Sequence, residues 1–472
     1  GGIVKPASYL FGEQAVGLMV GFVPTWFLEG DAVAFETATS NSGRGRQADF
    51  YQYYRTHYLT RSKRFKYDKW LMGSYRDNIP NHYNFGYQLV SYAKIKYGDT
   101  VWANTLEYVS RNPYTIFPFY FGLKQQTELS RKELFEKTFN HLDSLWTRDQ
   151  KLNRLDKVTS MVKECREYTD YRYPFLKSDS LLVVYKTSLS RIPQFVLVDL
   201  NCNKEKVLFC PGYLTSRPSY YKEMIFWTEY LPHIRWEYKS YSVIKWFDAR
   251  RGIAKTVSDR GMYLSPVYNP YDGLLYAISE KEDGQYSIDA FNFAGNKVKS
   301  IPFPQYFHPF ELIISDTQHS LFVAVVSDKG KSIVRVNDDG RIDLVFGSTY
   351  LDIHSISSYG NLILFSASYG YKTNLFALNI ETKEIKKITS SEFGSTDPSY
   401  FHSSNRIVFS NYTEKGYTIS ESPLDTTGNN IFPQNLNNDW ISKKLSSTEK
   451  FNIDSTEIPN NSFKIEKYKG IK

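Results

Sequence analysis

Tyr171-Arg172-Tyr173-Pro174-Phe175-Leu176-Lys177-Ser178-Asp179-Ser180-Leu181-Leu182-Val183-Val184 is the stretch that decides the fold of most of this chain. A proline is followed by a polar turn and then a short apolar strand, and the order recurs. Pro218 leads to Met224-Ile225-Phe226-Trp227, Pro266 to Leu274-Leu275-Tyr276-Ala277, Pro309 to Leu321-Phe322-Val323-Ala324, and Pro398 to Ile407-Val408-Phe409. Between the last two prolines, His354 takes the proline's place before Leu362-Ile363-Leu364-Phe365. The copies are spaced 43 to 48 residues apart. A period of that length means blades of four strands, each burying its faces on its neighbours. Six copies predict a six-bladed β-propeller over residues 167–446. Asp272-Gly273, Asp283-Gly284 and Asp339-Gly340 supply turns between strands. Residues 447–472 are polar and Lys-rich, and read as a linker or the opening of a further domain.

Upstream, residues 1–166 read mostly as helix, which makes the fold class multidomain, α followed by all-β. Thr25 is placed to cap a helix running from Trp26 to Thr37, with Glu29 and Glu36 on roughly one face. The helix puts Glu29 among apolar neighbours, where a carboxylate needs a cation or hydrogen bonds. The Gly-rich loop Ser40-Asn41-Ser42-Gly43-Arg44-Gly45-Arg46 follows. Arg44 and Arg46 suit either a substrate carboxylate or internal carbonyls and acids, and the spacing matches no phosphate-binding loop. A second helix carries Leu89, Tyr92 and Ala93 on one side and ends near Gly98. His82 and Tyr83 stand at its start, where either could donate to a tetrahedral oxyanion or serve as a capping or packing residue. Further helix is expected from Ser130 to Trp146, with a charged connector from Arg148 to Glu167.

Composition narrows the alternatives. The net charge is +8, but Lys and Arg are dispersed along the 472 residues, which fits a solvated surface and not a nucleic-acid footprint. Tyr (38) and Phe (32) are abundant enough to favour β structure with large aromatic contacts. Leu10 to Phe27 is fairly apolar, but Glu13, Gln14 and Pro24 interrupt it, so it is not read as a membrane span. Cys165, Cys202 and Cys210 read as free thiols; Cys202 and Cys210 flank a turn with an offset unsuited to direct partners. His308, His354 and His402 lie near strand entries and either converge on the channel to bind metal or, as the preferred reading, act as local turn and packing residues. The blades hold no Ser-His-Asp set, and no α/β hydrolase domain accompanies them.

Two separate stretches carry a family resemblance. Pro24-Thr25-Trp26-Phe27-Leu28-Glu29-Gly30-Asp31-Ala32, with Glu36 and Gly43-Arg44-Gly45-Arg46 behind it, resembles the segment after the catalytic helix in gluzincin-type (MA clan) metallopeptidases. Together with Ser74-Tyr75-Arg76-Asp77, Pro80-Asn81-His82-Tyr83 and the boundary at Tyr171-Arg172-Tyr173-Pro174, it resembles large envelope proteins of Bacteroidetes in which such a domain precedes a TolB-type propeller. The resemblance implies zinc-dependent hydrolysis of a peptide or protein substrate, location in the periplasm or at the cell surface, and Glu29 as third zinc ligand. His82 or Tyr83 would stabilise the oxyanion, and Arg44 and Arg46 would bind substrate. The chain departs from the pattern at one place: it contains no His-Glu-x-x-His helix, which would supply two ligands and the general base. The expectation is therefore a piece of a larger envelope protein, with no catalytic zinc held by this polypeptide alone. The rival expectation is a non-catalytic platform whose propeller binds a protein or glycan. Either way, Glu29, Glu36, His82 and Tyr83 are expected around one cleft, open toward the missing helix and exposing Phe22, Trp26 and Phe27.

Overall fold

The computed structural model describes residues 22–61, 64–152, 158–315, 320–337, 339–401 and 405–426, together with Tyr9, Ile441 and residues 443–445. His402, residues 447–472 and most of the Leu10–Phe27 stretch lie outside the described residues.

Helices come first: α1 (Thr25–Thr39), α2 (Asp49–Thr60), α3 (Tyr67–Met72), α4 (His82–Tyr97), α5 (Val101–Arg111), α6 (Pro118–Thr127) and α7 (Arg131–Leu152). Thr25 is the first helical residue of α1, and Pro24, extended and lacking an N–H, occupies the cap. The ends of α4 are fixed by local chemistry. The Asn81 side chain accepts from the Tyr83 and Asn84 N–H groups, and Gly98 leaves the helix at φ 99°. Trp26 and Phe27 are 1% and 2% exposed, packed against Trp102 and Phe119. The expected exposure of this pair is thus corrected: α5 and α6 cover them, and of the three aromatics named only Phe22 reaches the surface.

The strands follow as antiparallel meanders: β1 (Thr159–Ser160); β2 (Thr169–Ser178), β3 (Leu181–Ser188), β4 (Gln194–Asp199) and β5 (Lys204–Phe209); β6 (Ser219–Tyr221), β7 (Met224–Pro232), β8 (Ser240–Asp248) and β9 (Ile253–Thr256); β10 (Met262–Asn269), β11 (Leu274–Glu280), β12 (Tyr286–Phe291) and β13 (Lys297–Pro302); β14 (His308–Ile314), β15 (Leu321–Ser327), β16 (Gly330–Val336) and β17 (Ile342–Thr349); β18 (Asp352–Tyr359), β19 (Leu362–Tyr369), β20 (Lys372–Asn379) and β21 (Ile385–Lys387); β22 (Ser395–Phe401), β23 (Arg406–Thr413) and β24 (Gly416–Pro423). A single parallel pair, Met262 opposite Ser242, joins the β6–β9 and β10–β13 meanders into one sheet. The inner strand of every meander lines one common cavity, which makes the architecture a β-propeller. β1 supplies the outer strand beside β24, with Thr159 opposite Glu421 and Ser160 opposite Ser420. The sheet that ends the chain's strand order is therefore completed by its first strand.

The repeating prolines have a physical reason. Pro174, Pro266 and Pro398 fall inside β-bulges of β2, β10 and β22, where a residue leaves the ladder and the missing N–H costs nothing. Pro218 lies in the corresponding break before β6. The sequence register needs correction in two sheets. Pro309 is paired with Val325, ahead of the bulge at Phe310. His354 is paired with Ser366, ahead of a bulge that holds Ser355 and Ile356.

The helical part packs onto the sheets. Its core includes Tyr371, Phe393 and Tyr412 beside Tyr51, Tyr54 and Trp146. Arg55, fully buried in α2, donates to the Glu392 carbonyl at 2.9 Å, and Tyr417 donates to the Gln52 side chain at 3.1 Å.

Candidate functional site in the propeller cavity

The bulges place side chains where the inner strands converge. Tyr173, Ser265, Ser355 and Asp397 take left-handed backbone angles of φ 54°, 49°, 55° and 56°. Such angles are costly for residues with a Cβ, so they persist where surrounding bonds hold them. Three of them are stitched to a neighbouring sheet. The Ser265 hydroxyl accepts from Leu312 N–H at 2.9 Å, and the Ser355 hydroxyl donates to Asp397 at 2.9 Å. Tyr173 N–H donates to Asp397 at 3.3 Å.

Asp397 is the most heavily bonded of these groups. Its buried carboxylate receives Arg172 Nε at 2.5 Å and Nη2 at 3.2 Å, and the Ser410 hydroxyl at 3.0 Å. Burial alone would raise its pKa, but the Arg172 charge and these donors hold it well below the usual carboxylate range. Arg172 is likewise kept charged despite burial, mainly by Asp397. Arg217, on the segment entering β6, donates to the Ile356 carbonyl at 2.6 Å and reaches the Pro398 carbonyl at 3.4 Å. It thus links the β6–β9 meander to two other sheets. Glu311 accepts from Ile356 N–H at 2.9 Å, yet burial keeps its pKa above the ordinary value, with Arg217 opposing.

Around these groups lies a cavity of about 210 Å³, walled by Phe175, Val267, Ile313 and Tyr400 and by Arg217, Tyr220, Glu311 and Ser357. The Tyr220 hydroxyl and Ser357 Oγ are buried without a hydrogen-bond partner among the described residues. Buried hydroxyls in that condition take water or a ligand's polar atoms. Toward the helical part, Lys331 pairs with Asp352, and His354 Nδ1 lies 3.4 Å from it. Burial disfavours the charges, but this pairing depresses Asp352 and raises His354. Asp49, at the start of α2, keeps solvent access while surrounded by protein; that desolvation, with Asp352 beside it, pushes it up to about 6.

The residues singled out from sequence fall into a different place. α1 and α4 cross at Gly30 and Gly86, and the crossing sets Glu29 against Tyr83. Hydrogen bonding with Glu29 raises the Tyr83 phenol above its ordinary pKa, while Arg44 pulls it the other way. Arg44 stacks over the Tyr83 ring at 5.2 Å and pairs with Glu36 at 2.8 Å. Glu29, Tyr83, Arg44 and Glu36 therefore form one string of contacts, and His82 is half-buried beside it as the first residue of α4. Arg46 is buried and donates to the Thr37 and Ser40 carbonyls at 2.9 and 3.0 Å, closing the C-terminal end of α1. Of the two uses open to Arg46, this is the internal one.

The donor set does not fit zinc. Glu29 faces a phenol and Glu36 an arginine, and among the described residues no three His, Cys, Asp or Glu are grouped to hold an ion. His308 is exposed beside Tyr286 and His354 is turned to Asp352, so these two do not converge. The thiols of Cys165, Cys202 and Cys210 are free, and the last two are exposed. Sequence reading missed Arg172, Arg217, Glu311 and Asp397. Two of them, Arg217 and Asp397, immediately precede a repeat proline, and that adjacency was the available signal.

The chain matches no protein-family model and no curated protein. It is similar in part to several solved structures. TolB from Acinetobacter baumannii shares 13% identity over 48% of this chain and 59% of its own, with a TM-score of 0.37. The β-propeller domain of the Trilobed protease from Pyrococcus furiosus shares 10% over 57% of this chain and 99% of its own, at 0.36. Oligogalacturonate lyase in complex with manganese shares 12% over 57% and 80%, at 0.40. Among the described residues, no helix is long and apolar enough to cross a membrane.

Proposed function

We propose that this chain is the helical and propeller portion of a secreted or envelope protein, and that its own contribution is to bind a ligand. The six meanders are read as six blades of a TolB-type propeller, closed by β1, with residues 1–166 as the later part of a gluzincin-like domain. The observation that carries the binding reading is the central cavity, where Tyr220 and Ser357 present unpartnered hydroxyls beside Arg217. Arg217 keeps N–H groups beyond the two given to carbonyls, and a guanidinium flanked by hydroxyls suits a carboxylate. With Phe175, Val267 and Ile313 alongside, the ligand proposed is the carboxylate end of a peptide chain. Fluorescence polarisation of labelled tripeptides tests it. Free-carboxyl peptides should bind, and amidated ones, or the Arg217→Ala variant, should not. Equal binding of both forms, or no peptide binding at all, refutes it.

A further inference from the structure

Two neighbouring hairpins of the propeller end in exposed apolar side chains. The β3–β4 tip carries Leu189 and Ile192, and the β7–β8 tip carries Ile234, Trp236 and Tyr238, which are 91%, 58% and 99% exposed. Both tips lie at the end where the inner strands begin. Thr169, the first residue of β2, pairs with Ser188, and Leu214, ahead of β6, pairs with Glu229. Tyr213, also exposed, lies beside the second, in edge contact with Tyr230 at 6.5 Å.

The larger tip is held in shape. His233 Nδ1 accepts from Arg235 and Trp236 N–H at 3.0 and 3.1 Å, and His233 N–H donates to the Lys239 carbonyl at 2.9 Å. Arg235 lies 5.0 Å from the Trp236 ring. A turn that spends its polar groups on itself while presenting isoleucine, tryptophan and tyrosine outward is already organised for an apolar medium. Its cations sit beside the apolar side chains: Arg191 on one tip, Arg235 and Lys239 on the other, against Glu237. Lys239 also meets Glu282 of the β10–β13 meander at 3.2 Å, which leaves Arg191 and Arg235 as the exposed cations of the two tips, with Glu237 the exposed acid beside them.

We propose that this pair of hairpins docks on an anionic lipid surface, with Ile234 and Trp236 entering the interface and Arg191 and Arg235 meeting phosphates. Two separate apolar tips flanked by cations suit a deformable apolar layer topped by negative charge; a protein partner would need a matched pocket for each. Tryptophan and tyrosine belong at that boundary, and binding there scales with buried apolar area plus attraction to anionic lipid.

Flotation of the full chain with vesicles is the test. The chain should float with a phosphatidylcholine–phosphatidylglycerol mixture, weakly with phosphatidylcholine alone, and less at high salt. The double variant Ile234→Ser, Trp236→Ser should lose about tenfold in partitioning. Arg191→Glu with Arg235→Glu should lose the preference for the anionic mixture. No flotation with mixed vesicles, flotation unchanged in the apolar double variant, or cross-linking of Trp236 to a protein without vesicle binding would each overturn the proposal.

Discussion

Gly30 and Gly86 touch backbone to backbone where α1 crosses α4. A Cβ on Gly30 would stand 2.2 Å from the Gly86 carbonyl carbon, and one on Gly86 would stand 1.7 Å from the Trp26 carbonyl oxygen. No rotamer change relieves a clash with backbone, so the helices must part. Tyr83 is one turn before Gly86, and Glu29 immediately precedes Gly30, so their contact depends on this crossing. Gly86→Ala should destabilise the helical part by about 3 kcal/mol or more and return the Tyr83 phenol toward its ordinary titration. Urea unfolding and ultraviolet titration of the tyrosines check both; an unchanged unfolding midpoint would contradict the crossing.

The pairing of Arg172 with Asp397 spans 225 residues of sequence and joins β2 to β22. Asp397→Asn leaves the half-buried Arg172 against a neutral side chain, a loss of about 3 kcal/mol. Arg172→Met alone strands the carboxylate instead. The two together should cost less than the sum, because the double variant leaves no uncompensated charge, whereas each single variant leaves one. Urea midpoints of the four proteins measure the coupling; strict additivity would mean that the groups do not act as a pair.

These two sites show what a sequence exposes and what it hides. Pro174, Pro218, Pro266 and Pro398 were legible because a residue without an N–H is tolerated at a bulge, and the bulge repeats with the blade. Pro309 and His354 misled because they sit in the ladder just ahead of their bulges, where spacing alone cannot separate the positions. The helix α2 left no amphipathic stripe, since every residue from Phe50 to Tyr58 is buried, with other helices on one side and sheets on the other. Arg172 and Asp397 are ordinary charged residues in sequence, and only the fold brings them together. Glu29 and Tyr83 each stand in a short marked stretch, but their contact comes from the crossing at Gly30 and Gly86, and Arg46 was ambiguous because its partners are backbone carbonyls that no sequence pattern marks.

His57 gives the helical part a dependence on acid. Burial comes first among the causes that lower its pKa to about 4, with Arg61 adding and Asp77 opposing. Its Nε2 accepts from Phe65 N–H at 3.2 Å, a role open only to the neutral ring. Between pH ~6.5 and ~4 the unfolded chain takes up a proton that the folded chain refuses, so this contribution falls with pH by about 3 kcal/mol in all. Asp49 has the opposite sign: its raised pKa favours the folded state at low pH and loses that effect as pH rises through about 6. The comparison must therefore be made against a variant. The stability advantage of the native chain over His57→Gln should shrink by about 2–3 kcal/mol from neutral to acidic pH in urea titrations. A constant difference would mean that the ring is not buried neutral.

Closure by β1 rests on few bonds. Besides the two residue pairs with β24, Met161 N–H donates to the Ile419 carbonyl at 2.8 Å, and the Ser160 and Thr418 hydroxyls meet at 2.9 Å. Met161→Pro removes that donor at the junction where the first strand meets the last. The loss of one backbone bond is about 1 kcal/mol globally, but it falls on an edge, where local opening decides protection. Amides of Gly416–Pro423 should then exchange faster while those of Leu321–Ser327, on a different sheet, keep their rates. Hydrogen exchange read by mass spectrometry separates the two segments. Equal acceleration of both would show that the ring opens as one unit and that β1 does not act locally, whereas no acceleration in either would show that β24 does not depend on this seam.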